Sequence, residues 1–346
     1  MIQKFINHTL SNLGIPVRTG FLSRDGTHVF SKTWYGMYGA KSNCAPLVIV
    51  HGGPGGNSTS LVRTLKALSQ DRQIIFYDQY GSGKSNLFNP QQEQNNPYKT
   101  EYFVDELRLV LKTLAPQGAH ILGHSWGNVP LFEHLVDDGQ CVSAVFSSPL
   151  LDSQIWMNDS KRLLLNMAMD ERVLSRDKEA AIEMLNLNIS HDFYMKEERT
   201  EKEDKHMARY GPALDAFYQK HCSGKQGALP KVPFLYRLGD FIVPAPDLPA
   251  KLGESYLEMW GPTELQCTGT LKEYTATARL SQIAHIPTLL TCGRDDTATP
   301  ETVRKFATMI GENTKVEIFE NSAHWPHVSE NEKYRHVLNE FFKQAE

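Results

Sequence analysis

The chain has 346 residues, 40% of them hydrophobic and 22% charged. That is enough apolar material for a full-sized core, and it excludes disordered, collagen-like and small disulfide-stapled classes. Its 36 Lys and Arg against 40 Asp and Glu give a formal net charge of −4, which offers no general attraction to nucleic acid or to an anionic membrane.

The N-terminal run MIQKFINHTLSNLG has no apolar stretch of signal-peptide length, and no membrane-length apolar run occurs further on. The cytoplasm is therefore the expected compartment, and sequons such as Asn57-Ser58-Thr59 are chance matches. Residues 17–38 read as an antiparallel edge with a turn at Arg24-Asp25-Gly26-Thr27. Short β-rich runs then follow at 45–50 (APLVIV), 73–78 (QIIFYD), 120–125 (HILGHS) and 142–148 (VSAVFSS). Between them, residues 101–114 carry Phe103, Val104, Leu107, Val110, Leu111 and Leu114 at the spacing of a helix with one buried face. Continuous apolar strands alternating with such helices predict an α/β fold with a mostly parallel sheet covered on both faces.

From 152 to 255 strand signals vanish, and Met-, Leu- and charge-rich helical stretches at 161–169, 178–186 and 204–222 take over. The expected organisation is a core of residues 1–151 and 256–346 interrupted by a helical cap at 152–255. Strands return at 286–293 and 316–320, with helices at 301–310 and 330–343. The charge run 196–205 (KEERTEKEDK) reads as a solvated face rather than a binding tail.

Gly123-His124-Ser125-Trp126-Gly127 fits G-x-S-x-G between a predicted strand and a predicted helix. A serine on that turn is exposed at the sheet edge, and the helix after it favours developing negative charge. His51-Gly52-Gly53-Pro54-Gly55 follows another strand and offers unencumbered backbone amides; the N–H groups of Gly53 and Trp126 are candidate oxyanion donors. The serine needs a base, and the base needs an orienting acid. Asp295 and Asp296 follow the strand ending at Gly293, His324 follows the run 316–320, and His327 is an alternative base expected on the surface or in a supporting position. The order Ser, Asp, His is that of an α/β-hydrolase.

Two decoys fall away. Gly81-Ser82-Gly83-Lys84-Ser85 hints at a phosphate loop, but that motif needs glycine where Asp78 stands. The pairs His120/His124 and His324/His327 could suggest zinc, yet no H-E-x-x-H is present and the first pair spans a strand, so neither metal nor cofactor is expected. The five cysteines are scattered, form no C-x-x-C and read as reduced thiols.

Together HGGPG (51–55), DQYGSGKS (78–85), GHSWG (123–127), GRDD with Pro300, and MWGPTELQCTGTLKEY (259–274) resemble the proline iminopeptidase family of serine peptidases, a group that includes the tricorn interacting factor aminopeptidase. The likeness runs from about residue 20 to the end. It implies metal-free release of an N-terminal residue, often proline, from small peptides or aminoacyl derivatives. By the same resemblance Ser125 is the nucleophile, Asp296 the acid, His324 the base, and Glu264 in G-P-x-E the carboxylate that binds the substrate's α-ammonium. The family pattern implies a second glutamate after the triad aspartate, where this chain has Thr297. Amino-acid amide or ester hydrolysis therefore competes with peptide cleavage as the expected activity, and a Thr297→Glu change is expected to strengthen preference for free amines. A silent scaffold of the same fold would lack a triad member, and none is missing. Trp126, Trp156, Tyr194, Tyr210, Phe217, Tyr218, Tyr236 and Trp260 are candidates for an apolar pocket.

Overall fold

The computed structural model describes residues 15–23, 32–85, 98–137, 139–170, 178–179, 182, 200–201, 215–223, 254–261 and 263–346. In chain order the elements are β1 (Arg18–Ser23), β2 (Lys32–Tyr38), β3 (Leu47–Val50), α1 (Thr59–Leu65), β4 (Ile74–Tyr77), α2 (Thr100–Leu114), β5 (His120–His124), α3 (Asn128–Val136) and β6 (Ser143–Ser147). They continue with α4 (Ser153–Met169), α5 (Glu254–Met259), β7 (Thr288–Gly293), α6 (Pro300–Ile310), β8 (Thr314–Phe319), α7 (Pro326–Ser329) and α8 (Asn331–Ala345).

The eight strands form one sheet in the order β1-β2-β4-β3-β5-β6-β7-β8. β2 runs antiparallel to both β1 and β4, and every other pair is parallel. The expected turn at 24–27 lies outside the described residues. Period-two alternation distributes each strand between two cores: Val48 and Val50 join Phe103, Leu107 and Val110 of α2 and Phe132 of α3. Leu47 and Ile49 face the other way, toward Leu61 and Leu65 of α1 and Leu338 and Phe342 of α8. β3 to β7 are buried along their whole length, which is why their sequences are continuous apolar runs instead of alternating ones. Each fully buried Val, Leu, Ile or Phe contributes roughly 1.5–3 kcal/mol.

The strand order reverses at β3, whose successor β4 pairs on one side and whose next parallel neighbour β5 pairs on the other. In open sheets of this kind the crevice at the carboxyl ends of such strands is where ligands bind. The segments leaving β3 and β5 there begin with His51 and Ser125.

After β6 the chain enters α4, capped by the Asp152 side chain, which accepts from the Ile155 N–H at 2.8 Å. It rejoins the body at an isolated antiparallel bridge, Asp152 opposite Thr275, with Ser153 N–H donating to Tyr274 O (3.0 Å) and Ala276 N–H to Leu151 O (2.8 Å). Of the helices expected between these points, 161–169 falls within α4, while most of 178–186 and most of 204–222 lie outside the described residues, Lys178, Glu179 and Ile182 being helical. A π-helical turn, Tyr218–Ser223, is seen near the end of the latter. Among the described residues no helix is long and apolar enough to cross a membrane.

Candidate active site

β5 ends at His124, and Ser125 takes up φ 55°, a left-handed conformation that costs an L-residue energy and is held only where the surroundings enforce it. The enforcing contacts are visible. Asn128 Nδ2 donates to Ser125 O (2.8 Å) and to Ser147 O (3.0 Å), locking the turn to β6. Gly127 packs so closely on β3 that a Cβ would lie 2.4 Å from Val50 O, so the second glycine of the motif is a steric requirement.

The loop after β3 presses against this turn. A Cβ on Gly52 would lie 3.0 Å from Ser125 Cβ, and Gly53 sits at φ 135°, a region open to glycine. His51 is buried and pinned from both sides: Gln79 N–H donates to its Nε2 (2.9 Å), so the proton resides on Nδ1, which donates to Gly52 O (2.7 Å). Burial lowers the His51 pKa, against the charge of Asp78 and the bond to Gly52. Asp78, where a phosphate loop would need glycine, uses its carboxylate to accept from Ser58 N–H, Ser58 Oγ and Lys84 N–H. Lys84 Nζ rests over the Trp34 ring, 4.1 Å from its centroid.

The two aspartates after β7 separate cleanly. Asp296 is 1% exposed, and its Oδ1 accepts from His324 Nδ1–H (2.8 Å), Ala298 N–H (2.9 Å) and Thr297 Oγ1 (3.3 Å), while Oδ2 accepts from Gly293 N–H (3.3 Å). Asp295 is half-buried and is tied in through its backbone, its carbonyl accepting from His221 Nδ1 at 2.8 Å. Only Asp296 therefore reaches the histidine. Burial alone would lower the His324 pKa, but the charge and hydrogen bond of Asp296, with the charge of Glu264, outweigh it and raise the value above 6.5. No hydrogen bond joins His324 to Ser125 in this structure. Both line one cavity of about 710 Å³, and such contacts tighten when substrate fills a site.

Of the two places expected for His327, on the surface or supporting the site, the structure shows a buried ring behind His124. Pro326 opens the short α7, which turns the His327 ring inward to 1% exposure, 4.8 Å from the His124 ring and 6.0 Å from Tyr334. Burial, reinforced by the His324 charge, pushes its pKa down to about 3. His124 is also held neutral by burial and by neighbouring imidazoles, its ring 5.1 Å from that of His324. His120 faces the opposite end of the sheet, bonded to Ser143 Oγ (2.7 Å) and Glu346 Oε1 (3.1 Å).

Glu264 lines the same cavity as Ser125 and His324. Tyr256 Oη donates to its Oε1 (2.7 Å), and its backbone N–H donates to Tyr218 Oη (3.2 Å). Burial raises the Glu264 pKa, outweighing the opposing effects of His324 and Tyr256. Among the described residues, Glu264 is the one acidic side chain lining the cavity. Thr297 does not line it: its hydroxyl, 1% exposed, sits on the Asp296–His324 pair, 3.4 Å from His324 Nδ1. Of the aromatics expected in a pocket, Tyr218 lines the cavity, and Trp156 stacks edge-on to His324 with centroids 5.6 Å apart. Trp126, Phe217 and Trp260 are buried core, and Tyr194, Tyr210 and Tyr236 lie outside the described residues. Tyr256 and Cys222, both cavity residues, escaped the sequence reading because no local pattern links them to Glu264.

Residues 45–330 match the alpha/beta hydrolase fold family. The chain is 32% identical over 302 residues to a proline iminopeptidase of Heyndrickxia coagulans, covering 86% of this chain and 90% of that protein. It is 30% identical over 316 residues to a proline iminopeptidase of Clostridioides difficile strain 630, covering 90% and 94%. The crystal structure of a Mycobacterium smegmatis proline iminopeptidase superimposes with a TM-score of 0.72 at 23% identity, covering 95% of this chain and 98% of that one, a likeness of fold. With the α/β-hydrolase sheet and these full-length relatives together, the chain belongs to the proline iminopeptidase family and is a serine hydrolase of the aminopeptidase class.

Proposed function

We propose that the enzyme releases an N-terminal residue, proline or a small apolar amino acid, from short peptides or aminoacyl amides and esters through an acyl-enzyme. The single observation that carries this reading is the Glu264 carboxylate in one cavity with Ser125 and His324. An ammonium taken out of water needs such a partner, since an unpaired buried cation is costly. Ser125 Oγ attacks the carbonyl of the first residue as His324 Nε2 takes its proton. Asp296 holds the imidazole in the tautomer with Nδ1–H directed at its carboxylate and stabilises the imidazolium that forms. The Gly53 and Trp126 amides receive the oxyanion. The imidazolium then protonates the departing amine or alcohol, and water, deprotonated by the same histidine, frees the amino acid and restores Ser125.

Residues 152–255 form the cap in this reading, the cytoplasm is the compartment, and the partner is a small substrate rather than nucleic acid or membrane. A second reading, an amino-acid amidase or esterase, is favoured by one feature: Glu264 faces the cavity without a second acidic side chain among the described residues. A panel of aminoacyl-naphthylamides, amides, esters and dipeptides, each with free and acetylated amine, separates the two. Equal cleavage of free and acetylated forms refutes the aminopeptidase reading. Rapid labelling by a fluorophosphonate, lost in Ser125→Ala, tests the nucleophile.

A further inference from the structure

We infer that Gln79 is the positioning residue of the oxyanion site: one buried carboxamide fixes the separation of the two loops that carry the Gly53 and Trp126 amides. The inference rests on the reading that these amides receive the oxyanion. Gln79 lies just beyond the end of β4 and is 1% exposed. Its Nε2 donates to His51 O (2.5 Å), two residues before Gly53, and its Oε1 accepts from the indole Nε1–H of Trp126 (2.9 Å). Its backbone N–H holds the His51 ring as well (2.9 Å). Gln79 is itself anchored, since its carbonyl accepts from both Ser82 N–H (2.9 Å) and Ser82 Oγ (2.8 Å). The far side of the indole packs edge-on to Phe103, centroids 5.3 Å apart.

Oxyanion donors act only when fixed at hydrogen-bond distance from the developing charge, and here the two donors come from different strand ends. The pairing of β3 with β5 and the packing of Gly52 on Ser125 bring the two loops together, and a side chain bonded to both holds their final separation. The bridge needs a donor on one arm and an acceptor on the other. Glutamine supplies both at this length. A glutamate carboxylate can accept from Trp126 but cannot donate to His51 O, and methionine does neither. A protonated glutamic acid, with one O–H and one carbonyl oxygen, again satisfies both arms.

That chemistry gives a signature that a purely structural residue lacks. Full-length Gln79→Met and Gln79→Glu are assayed with L-prolyl-2-naphthylamide across pH, and with a boronic-acid analogue of proline whose tetrahedral adduct puts an oxygen in the oxyanion site. Gln79→Met is expected to lose about tenfold to a hundredfold in kcat, with KM within about threefold, and to lose boronate affinity by a similar factor. Gln79→Glu, expressed as a ratio to the wild type at each pH, is expected to be most active at the acid end and to decline as the introduced carboxyl ionises. A Gln79→Met enzyme with unchanged boronate affinity, or a Gln79→Glu ratio flat with pH, overturns the proposal. So does failure of both variants to fold, which would assign the bridge to stability alone. A wild type that holds the boronate no tighter than proline refutes the oxyanion reading and the proposal with it, whereas tight wild-type binding with an unaffected Gln79→Met refutes the proposal alone.

Discussion

Replacing Glu264 by glutamine removes one charge and almost nothing else. The amide oxygen keeps the Tyr256 Oη bond, now 2.7 Å, and the Glu264 backbone bond to Tyr218 is untouched. Losing one partner of a desolvated charge pair costs about 2–5 kcal/mol, or roughly 30-fold to several thousand-fold in kcat/KM. The structure points to the upper part of that range, because burial has already raised the Glu264 pKa, the mark of surroundings that solvate a charge poorly. A loss of about 500-fold or more is expected for L-prolyl-2-naphthylamide, against no more than about threefold for p-nitrophenyl acetate above the His324 midpoint. A second effect must accompany it. The Glu264 charge helps to raise the His324 pKa, so its removal moves the rising limb of the pH profile to lower pH for every substrate, the neutral ester included. Steady-state kinetics from pH 5 to 9 reads both effects. Equal losses on free and acetylated amines, with an unmoved limb, would refute the assignment of Glu264.

In the wild type, kcat/KM for a neutral ester should rise with pH through a midpoint above 6.5, because neutral His324 is the active form and Asp296 and Glu264 favour the protonated one against the effect of burial; a midpoint below 6.5 contradicts this balance, and EDTA should leave the rate unchanged. Asp296→Asn should lower kcat by about 10³–10⁴-fold through loss of the productive tautomer, while Asp295→Asn, whose structural ties are through the backbone, should stay within about threefold; equal losses in the two variants would leave no basis for the distinction. Thr297→Glu, expected from the sequence to improve amine recognition, should instead place a second carboxylate against Asp296, outside the cavity. A destabilisation on the order of 3 kcal/mol and lower activity on all substrates should be seen in thermal melts and ester assays, and a selective gain on free amines would show that the side chain reaches the substrate after all.

The parallel strands were legible because burial on both faces writes itself as unbroken apolar runs, and the strand-to-helix turn at Ser125 because its left-handed backbone and close packing demand small neighbours at fixed offsets. The choice between Asp295 and Asp296 was not legible from the residues themselves. It depends on which side chain the turn from Gly293 directs toward His324, a matter of backbone path that two adjacent aspartates cannot encode by type. Whether His327 lies on the surface or supports the site was left open for a related reason: its burial depends on His124, much earlier in the chain, as well as on the neighbouring Tyr334 of α8. The Tyr256–Glu264 bond and the Gln79 bridge have no local signal, since a glutamine in a Gly- and Ser-rich turn looks solvated until the loops converge on it.

The bridge between Asp152 and Thr275 divides the residues of the proposed site along the chain. Ser125, Asp296, His324, Gly53 and Trp126 lie outside the span it closes, whereas Trp156, Tyr218, Cys222, Tyr256 and Glu264 lie within it. Because the span leaves and re-enters the body at adjoining points, lengthening it adds little to the entropy of closing the loop, about 0.6 kcal/mol for each doubling. On the proposed reading, descent with modification can thus redraw the surface that would meet the substrate while the proposed bond-breaking residues stay fixed, and a span transplanted from a relative at these two anchor points should carry its substrate preference with it.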